Sequence, residues 1–392
     1  MYELSAQKLN ALAADLGVKN LFFYAENAVK TVTGLAPYGK VAAIYSKNSF
    51  ANVCKPFTER LKSAGVKAVN FILPDGARLD FKNASDVIGV PEDVRAVICF
   101  DRGLTDISAY IATLCSLPVI YIPRTIVTRG ALAPKVAFFG DEFSSYTVKC
   151  PRHTVLDGEF LFDGGKAEQY INVVEKLLAL TDYRVRHEIA GGRLAADAYS
   201  AVKNAVLSCF NVCNADDALL TLVTEGFKTE IADYSCGGDI ICNSAAYNFR
   251  RLTGFSESDG LGFAFFSRAL RVYAFSAGAQ DHPFAVPDYN ARALALAKIC
   301  GADDGAFLKG LLRQTRQLKA DRGELARIRA AFSAEPNLQA RALKAIERNY
   351  VALGGKTDFD FSPYAEAFTL CGDLPNVLNF MTLAREGGFL ED

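Results

Sequence analysis

Two hydrophobic periods divide this sequence, and the switch from one to the other limits the folds open to it. In the first part, short apolar runs alternate with helical patterns. KVAAIYS (40–46), VKAVNFIL (66–73), VRAVICF (94–100) and LPVIYIP (117–123) read as strands, and FANVCKPFTERLKSAG (50–65, closed by Gly65) and TDISAYIATLC (105–115) as helices. Strands that are apolar along their whole length are buried on both faces. In a βαβα order this means a parallel sheet covered by helices on each side. Strand signals fade through VKCPRHTVLDGEFL (148–161). Beyond it, AEQYINVVEKLLALTDYRVRHEI, ADAYSAVKNAVLSCFNVC, DALLTLVTEGFKTEIADY and GFAFFSRALRVYAFSA place apolar residues at helical spacing. The basic amphipathic stretch 307–332 reads as one or two helices with a solvated charged face. The expected organisation is an α/β domain over 1–160 and an all-α domain over 161–392, with ligands binding in the cleft between them.

A chain of 392 residues is long enough for two such domains. Its net charge of −1 gives no global field toward nucleic acid or an anionic membrane. No apolar run approaches the roughly 18 residues of a membrane span. The N-terminus MYELSAQKLNALAADLG lacks a signal peptide's basic-then-apolar order, so the expected location is the cytoplasm. The 10 cysteines are scattered and several lie in apolar runs, such as Cys99 and Cys115. Cys209 with Cys213, and Cys236 with Cys242, are the pairs close enough to suggest a metal. Neither has CxxC spacing, and core packing is the reading adopted.

The order of segments resembles the glycerol-1-phosphate dehydrogenase branch of the iron-containing alcohol dehydrogenase and dehydroquinate synthase superfamily. The resemblance begins in VRAVICFDRGLTDISAYIATLCSLPVIYIPRTIVTRGALAP. It continues through VLDGEFL, LTDYRVRHE and GGDIICNSAAY to LPNVLNFMTLAREGGFL, and so covers nearly the whole chain. It implies a Rossmann-like N-terminal domain and a helical C-terminal domain, the dehydroquinate synthase-like fold.

The motif residues of that family are mostly replaced. Its glycine turn, which lets backbone N–H groups approach a pyrophosphate, falls on Phe100, Asp101 and Arg102. Gly103, Leu104, Thr105 and Asp106 remain. Gly103, Thr105 and Asp106, with Ser46, are the candidates for holding a cofactor, while a helix-capping Thr105 and an Asp106 that favours the helix dipole account for the turn without one. A phenylalanine and a carboxylate exclude phosphates from such a turn, and Arg102 is the residue expected to offset Asp101 or attract an anion. Ser46, Lys47 and Asn48 end the earlier strand in the zone that handles the adenosine ribose. In the next motif Pro123 is kept, but Arg124, Val127 and Arg129 take the places of a threonine, a serine and an aspartate before Gly130.

The family's metal needs about three protein ligands and an open position. The resemblance puts those ligands on Lys166, Ile240 and Phe255, which cannot hold a dication. The three histidines, His153, His187 and His282, are assigned surface or packing roles. Zinc and iron are not expected. Nor is a cofactor, with NAD or NADP the alternative.

Arg129 and Lys166 stand where the resemblance implies two carboxylates and so reverse the charge of the implied cleft, with Arg102 a further candidate there. Either acids such as Asp163, Asp239 and Glu257 neutralise them, or an anionic small molecule does. The leading expectation is a non-catalytic or repurposed protein that binds such a ligand or a partner, as a homo-oligomer or with an active paralogue. The alternative is a metal-independent NAD(P)-linked oxidoreductase acting on a polyol or sugar phosphate.

Overall fold

The computed structural model describes residues 2–77, 79–124, 131–139, 143–161, 165–190, 194–210, 212, 218–242, 244–253, 260–278, 294–298, 336–373 and 381. The chain divides into two compact units. The first takes residues 1–140, 144–165 and 219–237, and the second takes 141–143, 166–218 and 238–392.

The first unit is built on β1 (Leu21–Tyr24), β2 (Lys40–Ser46), β3 (Lys67–Leu73), β4 (Val94–Cys99), β5 (Val119–Tyr121) and β8 (Arg152–Val155). They form one six-stranded sheet in the order β1-β8-β5-β4-β2-β3, and every pair is parallel. The central strands are buried on both faces, as their unbroken apolar runs require. Ala42 and Ile44 face the helices Tyr2–Asp15 and Thr105–Leu114, while Val41, Ala43 and Tyr45 face Ala28–Leu35 and Lys55–Ser63. A separate hairpin joins β6 (Lys135–Phe139) to β7 (Phe143–Thr147).

Two features differ from the sequence expectation. The segment expected as one helix over 50–65 starts as a short turn at Lys47–Ser49, passes through a π-helical stretch at Phe50–Cys54, and becomes α-helical at Lys55–Ser63. The helix Ala218–Ser235, expected within the helical domain, supplies Val223, Phe227 and Ile231 to the core beneath β1. Phe227 meets Phe23 at 5.5 Å, and the Thr224 hydroxyl bonds that of Ser5 at 3.0 Å. Period alone says that such a helix has an apolar face, not which surface the face covers.

The outer strand β1 carries unpaired backbone groups, a hazard for edge pairing. The Asn10 side chain closes it by taking the Phe23 N–H at 2.9 Å and giving its amide to the Phe23 carbonyl at 2.8 Å. Between β1 and β8, His153 stacks on Phe22 at 4.9 Å and shares a 2.9 Å hydrogen bond with the Tyr24 hydroxyl. Burial lowers the His153 pKa below the ordinary 6.5, so the folded protein favours the neutral ring. The unfolded chain therefore takes the proton first as pH falls. The stability contributed is full above about 6.5 and is lost as pH drops through the lower folded value. Urea midpoints measured from pH 7.5 to 5 should fall, and His153→Gln should flatten that part of the profile.

The second unit is helical: Lys166–Val174, Lys176–Ala190, Ala196–Cys209, Ala245–Leu252, Leu261–Gly278, Pro336–Ala352 and Ala365–Leu370. The helix expected over 167–189 breaks at Glu175, whose carboxylate is buried with Arg250 and lies 3.3 Å from the Lys176 ammonium. Pro336–Ala352 is closed by Gly354, at φ +90°, and by Gly355, where a Cβ would lie 2.3 Å from the Tyr350 ring. Only glycine fits at Gly355. The stretch 307–332 and all of the C-terminal segment 374–390 except Met381 lie outside the described residues. Among the described residues, no helix is long and apolar enough to cross a membrane.

Candidate functional site

Strand β3 lies on one side of β2 and β4 on the other, so the sheet order reverses between β2 and β4. In open parallel sheets, ligands bind beyond the carboxyl ends of the strands at such a point. The groups gathered there are Ser46 at the end of β2, Ser49 in the turn after it, Asp101 after β4 and Arg124 after β5.

Asp101 is the centre of this group. One carboxylate oxygen accepts the Ser46 backbone N–H at 2.8 Å, and the other accepts the Ser49 hydroxyl through a short bond. The Arg124 guanidinium lies 3.8 Å from the same carboxylate and donates to the Ser49 oxygen at 2.8 Å. The Ser46 hydroxyl closes the ring 3.0 Å from that of Ser49. One turn further, Asp75 accepts the Asn48 N–H at 3.0 Å. Phe100 points away from this group into the core, where it is 1% exposed and meets Phe57 at 4.9 Å and Phe160 at 5.7 Å.

The nearby thiols are inert. Burial pushes the Cys99 thiol up to about 12, and burial with the Asp101 charge raises Cys54 as well, so both stay protonated near neutral pH.

Of the residues singled out in the sequence here, Ser46 and Asp101 are brought together. Arg124 faces Asp101, and the side chain of Arg102, expected to do so, lies outside the described residues. Gly103 and Lys47 are exposed. Thr105 does not cap its helix: a 3-10 turn at Arg102–Leu104 leads in, and Leu104 holds the cap position. Asp106 lies in the first turn, where it favours the helix dipole. Sequence reasoning missed Ser49, whose one signal was its place three residues after the N-cap Ser46.

In the second unit Lys166 opens the helix Lys166–Val174 and is exposed, while Ile240 is wholly buried. Asp239 is engaged with Arg186 and His187, at 3.6 Å and 3.2 Å. Asp182 accepts the Ala245 N–H at 3.0 Å, which caps the helix Ala245–Leu252, and the Tyr273 hydroxyl at 2.8 Å. These bonds tie LTDYRVRHE to GGDIICNSAAY. In the first unit Asp157, in VLDGEFL, accepts the Ala28 N–H at 2.7 Å and so anchors the helix Ala28–Leu35. The acids in these three segments therefore have structural work.

Arg129, Val127, Gly130, Asp163, Phe255, Glu257, His282 and Cys213 lie outside the described residues. Among the described residues, no three His, Cys, Asp or Glu side chains group as a metal site, and Cys209 and Cys242 are buried.

No protein-family model matches the sequence, and no curated protein matches it. Solved structures do. A 1,3-propanediol oxidoreductase is 12% identical with a TM-score of 0.58, over 95% of this chain and 97% of that chain. The iron-containing alcohol dehydrogenase of Corynebacterium glutamicum is 12% identical with a TM-score of 0.54, over 95% and 94%. An archaeal halo-thermophilic alcohol dehydrogenase from a Red Sea brine pool is 11% identical with a TM-score of 0.54, over 95% and 96%. The chain has the fold of the iron-containing alcohol dehydrogenases. Within this alcohol dehydrogenase fold, the Asp101 cluster lies where an α/β sheet offers its ligand crevice.

Proposed function

We propose that this chain keeps the alcohol dehydrogenase fold without its dinucleotide or metal chemistry, and serves as a non-catalytic or repurposed binding protein. The observation that carries the reading is the Asp101 carboxylate, bonded to the Ser46 N–H and the Ser49 hydroxyl. These donors are already matched to an internal anion, and a second anion in the same space would meet like charge. A dinucleotide pyrophosphate does not fit that crevice. The metal positions implied by the resemblance also fail on donor chemistry where they are described. Lys166 offers a cation, and Ile240 offers no donor atom.

The ligand class this reading favours is a small anion or a partner protein, because an exposed lysine stands where the resemblance implies a carboxylate. A thermal-shift screen of the purified chain against NAD, NADP, zinc and phosphorylated polyols tests it. Neither dinucleotide nor zinc should raise the Tm, while a phosphorylated polyol should. Stabilisation by a dinucleotide together with turnover would replace this reading with a metal-independent oxidoreductase.

A further inference from the structure

We infer that Asp101 is a built-in anion, seated in a cradle that would otherwise hold a phosphate group, and that it keeps the crevice closed. The inference rests on the reading above and adds to it what does the closing.

The Ser46 N–H and the Ser49 hydroxyl, from the turn after β2, and the Arg124 guanidinium, from the segment after β5, converge on the Asp101 carboxylate. They are also fixed without it. Arg124 donates to the Ser49 oxygen at 2.8 Å, the two serine hydroxyls lie 3.0 Å apart, and the Ser49 N–H reaches the Ser46 oxygen at 3.4 Å. Asp75 holds the Asn48 N–H, so the turn does not depend on Asp101 for its shape.

Removing the carboxylate would leave a guanidinium, a hydroxyl and a backbone N–H aimed at one oxyanion-sized space. Such a set suits a tetrahedral oxyanion through charge-assisted bonds. The Asp101 and Arg124 side chains are 17% and 25% exposed, so a small anion can reach that space from solvent. Asp101 thus acts as an autoinhibitory contact, and phosphate competes with it for the same donors.

The test uses the full chain with Asp101→Gly, which vacates the space, and Asp101→Asn, which keeps its size and drops the charge. Melting is followed in inorganic phosphate and in pyrophosphate, against chloride at equal ionic strength. Asp101→Gly should gain about 3 °C or more in phosphate, Asp101→Asn should gain less, and wild type should gain least. Adding Arg124→Met to Asp101→Gly should abolish the gain. If Asp101→Gly does not fold in chloride, refolding in phosphate should rescue it, because the added anion replaces the missing carboxylate.

A folded Asp101→Gly chain indifferent to both anions would overturn the inference. So would an equal response from wild type, or failure of phosphate to rescue a misfolded variant. Dinucleotide binding by wild type would instead sink the functional reading, so the two failures are distinguishable.

Discussion

Replacing Arg250 by methionine should cost the helical unit about 3–5 kcal/mol of stability, the range for breaking a buried ion pair from one side. Arg250 and Glu175 are bonded with side chains 7% and 2% exposed, and Lys176 adds a second cation 3.3 Å from the carboxylate. Without Arg250, Glu175 keeps a buried charge with one weaker partner. Desolvation then either raises its pKa or opens the break between Lys166–Val174 and Lys176–Ala190. Urea denaturation followed by far-ultraviolet circular dichroism measures the loss. Pairing Glu175→Gln with Arg250→Met should recover part of it, since the carboxylate is then no longer stranded and the buried Lys176 ammonium keeps the Asn172 side chain and a neutral amide as acceptors. A loss under about 1 kcal/mol would mean that water reaches Glu175.

Arg152→Met should be nearly as damaging to the first unit. Arg152 is 3% exposed in the sheet, and it reaches the Ala131 and Ala133 carbonyls at 3.3 Å and 2.5 Å. Its guanidinium also lies 5.8 Å from the centre of the Tyr234 ring. Each buried carbonyl left without a donor costs about 1–3 kcal/mol, so the pair predicts about 2–6 kcal/mol. Hydrogen exchange should rise first in residues 131–136 and in β8. Unchanged protection there would show that other groups hold that segment.

The sequence reading was strongest where burial is two-sided. β2, β4 and β5 announce themselves because a central parallel strand meets a helix layer on each face, which leaves a nearly unbroken apolar run. β3 was read from a similar run although it is an outer strand and mostly exposed or half-buried. β1 was missed because LFFY is short and lies at the edge, where one face is only half covered. The hairpin of β6 and β7 was missed because neither strand belongs to the main sheet. The helix Ala218–Ser235 was read as a helix, but its packing partners under β1 are a matter of tertiary arrangement.

The crevice shows the same limit. That Phe100 and Asp101 replace glycines is visible in the sequence, as is the conflict between a carboxylate and a phosphate. That Arg124 faces Asp101 depends on β5 lying beside β4, which the order of residues does not state. The role of Ser49 depends on the turn at Lys47–Ser49, signalled only by the capping Ser46, and on the π-helical stretch after it, which has no side-chain signature.

On the proposed reading, Asp101 fills the crevice where a dinucleotide would place its phosphates. Calorimetric titration of the purified wild-type chain with NADH and NADPH tests it most directly. The account predicts no saturable heat, with any affinity weaker than about 1 mM, or about 4 kcal/mol of binding free energy. A saturable isotherm with a micromolar Kd for either cofactor would contradict it.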